Sequence, residues 1–266
     1  EFRPVGLALI PDGSGFYVTD WNFNGWTQNV KRGRLLKVTF EKSAAAPKPD
    51  WYLSSSAAKT ADWVEGLRHP SRAVRLTAQR RLIERKDAVE AVTAVLANSK
   101  EPAHARWHAI WTLDGLDAGR DAILAALGDS NPSVRRQAAR QLGTRRAKEA
   151  VKPLLKMALD ADPSIRFAAA TALGRIGDSA AVPRLLEALD QADLFARYAA
   201  FTALNRIGRA DPTAWCAIAA GLESENVLVA EGAGFAVRET CNEARVKVLP
   251  SSVLRATPRP MPSPPS

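Results

Sequence analysis

The chain has 266 residues, 46% of them hydrophobic and 24% charged, with a formal net charge of +9. That balance is globular, and no run of about 18 apolar residues is present to cross a membrane as a helix. No signal-peptide pattern opens the chain. The first residue, Glu1, stands directly before strand-like sequence, so the chain reads as a piece of a longer polypeptide and its localisation is left open. Cys216 and Cys241 lack Cys-x-x-Cys spacing and read as two buried free thiols rather than a zinc or redox pair.

Residues 1–42 carry strand signals. Val5–Ile10 is an apolar run, Pro11–Ser14 (Pro-Asp-Gly-Ser) is a tight-turn sequence, and Phe16–Asp20 is β-branched and aromatic. After a polar, aromatic loop from Trp21 to Lys31, Gly33–Phe40 alternates like a third strand. Three strands with one face to hide need further chain to pack against. Residues 43–60, opening with Ser43–Pro49, read as a linker or surface crossover.

From residue 61 the sequence repeats. Arg75, Arg106, Arg135, Arg166 and Arg197 recur every 29 to 31 residues, each followed by Ala three positions on and Leu seven positions on. A sixth, degenerate copy, Val229–Val237, has Ala230 in the arginine slot. A fixed period near 30 predicts stacked helix pairs, so the fold class is mostly α: a solenoid of about six repeats over 61–249 with a small N-terminal antiparallel β segment.

Helix punctuation is legible within the repeats. Asn131-Pro132 and Asp162-Pro163 put an N-cap oxygen before a proline at the first helical position, where the missing N–H is harmless. Gly143, Gly174 and Gly208 read as left-handed residues closing first helices of about ten residues. Second helices follow at Ala150–Leu159 and Ala181–Leu189. Their leucines, 154, 155 and 159, then 185, 186 and 189, form an apolar stripe. Residues 250–266 end in five prolines among the last nine and read as a disordered or polyproline-like tail.

The block Leu159–Gly177 resembles a HEAT repeat of the short, bacterial, lyase-like kind, and the likeness covers about 61–249. In such proteins the repeated Asp and Arg form a ladder through the stack. The resemblance therefore implies structural roles for Arg75, Arg106, Arg135, Arg166 and Arg197, with Asp129 and Asp160 as partners; a guanidinium fork suits this better than Lys. Residues 1–42, through Phe2–Ala8, Pro11–Ser14, Tyr17–Trp21 and Gly33–Val38, are similar to the last blade of a glucose/sorbosone-dehydrogenase-like β-propeller. A blade leading into HEAT repeats resembles the planctomycete-type membrane-bound dehydrogenases, bacterial secreted or envelope proteins that continue into a haem-binding cytochrome c domain. The resemblance implies a longer parent that oxidises a sugar or alcohol with a quinone cofactor (PQQ-like) and passes electrons to haem c, in the periplasm or cell envelope. No Cys-x-x-Cys-His stands in the chain and only about one blade is present, so neither cofactor and no dehydrogenase site is expected within these 266 residues.

No other catalytic pattern emerges. There is no His-Glu dipeptide of the kind that holds two irons in HEAT-repeat enzymes, no nucleophile elbow and no phosphate loop before a helix. Gly232 and Gly234 read as close helix packing. His104 and His108 lie four apart with only Asp114 near in the helix, and read as solvent-facing or stacking rather than metal-binding. HEAT-like lyases that attach bilins to phycobiliproteins share the repeat, which alone does not separate a chromophore handler from a scaffold.

Trp107, Trp111 and His108, with Arg136, Arg145 and Arg146, are the candidate interaction residues, weighed against simple core packing that Trp51 and Trp63 would join. Residues 51–160 carry 19 Lys/Arg against 12 Asp/Glu, whereas 161–266 carry 11 against 11. The reading that follows is a non-catalytic scaffold binding protein domains, within its own polypeptide or between chains. Nucleic-acid binding through the basic first repeats is the alternative.

Overall fold

The computed structural model describes residues 4–10, 15–21, 33–39, 48–52 and 58–238. The expected turn at 11–14, the loop at 22–31, residues 43–47 and 53–57 of the linker, Cys241, the repeat end at 239–249 and the tail at 250–266 lie outside the described residues. Twelve α-helices and a three-stranded antiparallel sheet make up the regular structure of the described part. The chain divides into two compact units, Glu1–Ala122 and Ile123–Ser266.

In the first unit, β1 (Pro4–Leu9), β2 (Gly15–Trp21) and β3 (Gly33–Thr39) pair in chain order. The register sets Leu7 opposite Val18, Leu9 opposite Phe16 and Val18 opposite Leu36, which collects apolar side chains on one face. Asp20 lies opposite Arg34 and the two form a salt bridge, with the Asp20 side chain almost fully covered.

A 3-10 turn at Asp50–Tyr52 precedes α1 (Thr60–Gly66), α2 (Arg72–Ile83), α3 (Val89–Ala97) and α4 (Ala103–Gly115). In this bundle α2 packs on α1 and α4, and α3 on α4. Trp63 is buried beneath the Arg85 guanidinium, 4.6 Å from its ring centroid, and the Trp51 ring closes over Gly66.

The division between the units falls within α5 (Arg120–Ala125). The second unit then contains α6 (Pro132–Thr144), α7 (Val151–Met157), α8 (Pro163–Ile176), α9 (Val182–Glu187), α10 (Leu194–Ala210), α11 (Trp215–Ala220) and α12 (Val227–Arg238). Long helices α6, α8, α10 and α12 pack side by side in that order. Of the short helices, α7 packs on α8, α9 on α10, and α11 on α9 and α12.

The repeat signature is the core. The positions one before, three after and seven after each arginine form an i, i+4, i+8 stripe on one helix face. They are Val74, Ala78 and Leu82; Ala105, Ala109 and Leu113; Val134, Ala138 and Leu142; Ile165, Ala169 and Leu173; Ala196, Ala200 and Leu204, all at most 1% exposed. Each buried leucine contributes roughly 1.5–3 kcal/mol relative to exposure. The invariant alanine between them lets the neighbouring helix approach.

Both expected N-caps form. Asn131 Oδ1 accepts from Ser133 N–H at 3.0 Å, and Asp162 Oδ1 from Ser164 N–H at 2.8 Å.

Four sequence expectations require correction. The first helices are longer than ten residues, with 13, 14 and 17 in α6, α8 and α10. Consequently Gly143, Gly174 and Gly208 lie inside those helices, where the glycines serve close packing: a Cβ at Gly143 or Gly174 would come within 2.6 Å of the Cα of Ala172 or Ala203 on the next long helix. The left-handed residues at the ends are instead Gly177 (φ 80°) after α8 and Arg146 (φ 51°) after α6. Leu159 is exposed rather than in the apolar stripe, because α7 ends at Met157 and the buried slot before the turn falls to Ala158. Cys216 is exposed rather than buried, since it faces away from the α11 side that buries Trp215 and Ile218.

Candidate functional site

The ladder arginines stand in the first turn of their helices and reach back over the preceding turn. Arg135 Nη1 donates to the carbonyls of Asp129 (2.9 Å) and Ser130 (3.2 Å), and Arg166 Nη1 to those of Asp160 (2.8 Å) and Ala161 (2.9 Å). Arg75 Nη1 does the same at His69 (2.7 Å) and Pro70 (2.6 Å) in the first unit. Burial, then the neighbouring Arg72, holds the Arg75 guanidinium below its ordinary pKa.

Within a repeat, arginine and aspartate thus meet through the main-chain carbonyl. The Asp129 and Asp160 carboxylates instead accept the N–H of Asn131 (2.8 Å) and Asp162 (2.9 Å). Between repeats the link runs through side chains: Arg135 Nη2 to Asp160 Oδ2 at 3.4 Å, Arg166 Nε to Gln191, and Arg197 to Glu231 at 3.7 Å. Arg106 departs from the pattern. It is buried, and its Nε donates to the Leu96 carbonyl at 3.0 Å.

The six candidate interaction residues fall in separate units. Trp107, His108 and Trp111 lie on α4, and Arg136, Arg145 and Arg146 on or just after α6. His108 is not solvent-facing: it is buried, its Nδ1 lies 2.7 Å from Gln79 Oε1, and its ring meets Trp111 edge-on at 5.0 Å. Burial above all, then Arg75, His104 and Arg72, pushes its pKa down to about 4. His104 is engaged elsewhere, its Nε2 3.2 Å from the Arg68 carbonyl. Among the described residues no three His, Cys, Asp or Glu side chains gather as a metal site, and no helix is long and apolar enough to cross a membrane.

The second unit carries a surface that sequence reasoning missed. A groove of about 730 Å³ runs over α6, α8 and the start of α10, lined among others by Arg136, Arg140, Phe167, Arg175, Asp193 and Phe195. Arg136 bridges its floor through Nη1 to Ser164 Oγ at 2.7 Å. Beside it Leu194, Phe195 and Tyr198 stand 64%, 74% and 58% exposed. The aromatic row continues from Tyr198 to Phe201 (4.7 Å, edge-on) and Phe235 (5.3 Å, stacked), and ends under the Arg238 guanidinium. A signal existed in the sequence: the slot just after each ladder arginine reads Leu76, Trp107, Arg136, Phe167 and Tyr198, large side chains set among alanines.

Such helix pairs, stacked with an arginine ladder, define a helical repeat solenoid. Residues 120–205 match the family profile of HEAT repeats, and no curated protein matches the chain. Among solved structures it is similar to the complex of CpcE and CpcF of phycocyanin lyase from Nostoc sp. PCC7120, at 24% identity and TM-score 0.47, over 54% of this chain and 96% of that one. It is also similar to an archaeal HEAT-like repeats protein from Thermococcus onnurineus NA1 (19%, TM-score 0.44, 68% and 80%). A third is a designed armadillo repeat protein in complex with the peptide (KR)4 (17%, TM-score 0.42, 68% and 99%).

Proposed function

We propose that this repeat scaffold binds protein, and that a partner segment lies along the groove over α6, α8 and α10. The observation that carries the reading is the exposure of Phe167, Leu194, Phe195 and Tyr198 together beside Arg136, Arg140 and Arg175. Contiguous exposed aromatics rimmed by guanidinium groups mark interaction surfaces, because their hydration is lost only on association. With three arginines against one carboxylate, Asp193, the groove favours an acidic segment bearing apolar side chains. The test is selection of binding peptides on the full chain, followed by titration against Phe167→Ala/Phe195→Ala. Affinity should fall about tenfold or more, as for interface aromatics, with the unfolding midpoint unchanged. Selected peptides that bind the double variant as well as the parent would place the interaction elsewhere.

The same scaffold is proposed as the spacer of a longer dehydrogenase–cytochrome polypeptide of the cell envelope, whose haem c and quinone cofactor are held outside these residues. Support for this is the order of parts, blade-like residues 1–42 before the repeats. Sequencing outward from both ends of the reading frame tests it: Pro-Asp-Gly blades upstream and Cys-x-x-Cys-His downstream are expected. Nucleic-acid binding is the second reading, favoured by exposed arginines such as Arg140, Arg145 and Arg146. It requires duplex affinity that falls steeply with salt.

A further inference from the structure

We infer that the second unit holds an anion site beside the aromatic groove, sharing Arg175 with it, in a cleft at the C-terminal ends of α6, α8 and α10, and that its ligand is a compact polyanion carrying two or more phosphate or sulfate groups. The cleft encloses about 670 Å³ and is lined by Arg146, Arg175, Arg206 and Arg209 with Thr144 and Gly177 among their neighbours; among the described residues no carboxylate lines it. That volume lies within the range of small-ligand sites, roughly 300–1,000 Å³.

Arg175 donates to Thr144 Oγ1 at 3.2 Å, while the side chains of Arg146, Arg206 and Arg209 make no hydrogen bond or ion pair with any described residue. Four guanidinium groups are therefore gathered with no counter-charge from the described residues, each presenting a planar fork that fits two oxygens of a phosphate.

Favourable interaction with the helix C-termini accounts for only part of this. Arg175 and Arg209 stand in the last turns of α8 and α10, where a cation offsets the partial negative charge of free carbonyls. Arg146 does not stand in a last turn. It lies beyond the end of α6 with φ of 51°, at the repeat position where α8 is followed by Gly177 with φ of 80°. A side chain is disfavoured in that left-handed conformation, and glycine is the residue that avoids the clash. An arginine kept there, its side chain without a partner among the described residues, aimed into a cleft of three more arginines, is a local concession of stability to a site.

The experiment is calorimetric titration of the full chain with tripolyphosphate, with inorganic phosphate and a short DNA duplex as comparison arms. Tripolyphosphate should bind more tightly than inorganic phosphate and weaken with salt. Its affinity should fall about tenfold or more in Arg206→Gln/Arg209→Gln, which removes two charge-assisted contacts at exposed positions. Arg146→Gly should weaken binding too, yet raise the denaturation midpoint. An equal loss in a control variant, Lys152→Gln on α7, would show non-specific attraction to a basic protein and overturn the site. So would no binding of tripolyphosphate, or a duplex that binds more tightly and depends on the same arginines, which would make the cleft a nucleic-acid surface.

Discussion

Substituting His108 with Gln isolates one buried titration. In the native chain His108 is 3% exposed, and the groups that face it from α2 are Gln79 and the cations Arg72 and Arg75, with His104 on its own helix. Its pKa is lowered from 6.5 to about 4. Between those values the unfolded chain binds a proton that the folded chain refuses, so stability from this group is complete above pH 6.5 and is lost as pH falls towards 4. Integrating the linkage gives a loss of about 2 kcal/mol between pH 8 and pH 5 and about 3 kcal/mol by pH 4. The assay is urea unfolding of the native chain and His108→Gln at closely spaced pH values. Other titrations are common to both, so the difference between the curves should shrink by these amounts on acidification. A difference constant with pH would refute the reasoning. An NMR titration of the His108 ring in the unaltered chain supplies an independent check, and its midpoint should lie near 4.

Further outcomes follow from the packing. Gly174→Val drives a side chain against the Ala203 backbone between α8 and α10 and should destabilise by about 1–3 kcal/mol or more, measured by thermal unfolding. Arg135→Ala removes the charged donor shared by the half-buried Asp129 carbonyl and the exposed Ser130 carbonyl and should cost about 1–3 kcal/mol; Arg135→Lys should restore little of it, since one ammonium does not reproduce the fork. Leu173→Ala, at 0% exposure, should cost about 2–5 kcal/mol. Cys216 should be labelled by maleimide in the folded protein, whereas labelling seen only in urea would contradict its exposure.

The site was harder to read than the fold. Trp107 and Trp111 drew attention as aromatics beside a histidine, yet both are half-buried on α4, and His108 between them is packed and neutral. The exposed residues in and beside the groove, Phe167, Phe195 and Tyr198, went unread in the sequence, because an apolar side chain carries no mark of the face on which it will stand. Likewise Arg175, Arg206 and Arg209 are scattered over 35 positions of an unremarkable, charge-balanced stretch, and the stacking of α6, α8 and α10 brings them together with Arg146.

What the sequence by itself determined is whatever repeats or caps locally. The Arg, Ala and Leu period set the helix pairs and their buried stripe, and Asn131 and Asp162 set the starts of α6 and α8, because helical spacing and N-caps depend on residues within one or two turns. Only the tertiary structure decided that Gly143 and Gly174 serve contact between helices rather than chain reversal, that Leu159 and Cys216 face outward, and that the arginine forks bind carbonyls within a repeat and side chains across it. Each of those depends on which atoms of a neighbouring helix, distant in the chain, come within a few ångströms, and that distance is set by the stacking of whole helices rather than by the residues beside each position.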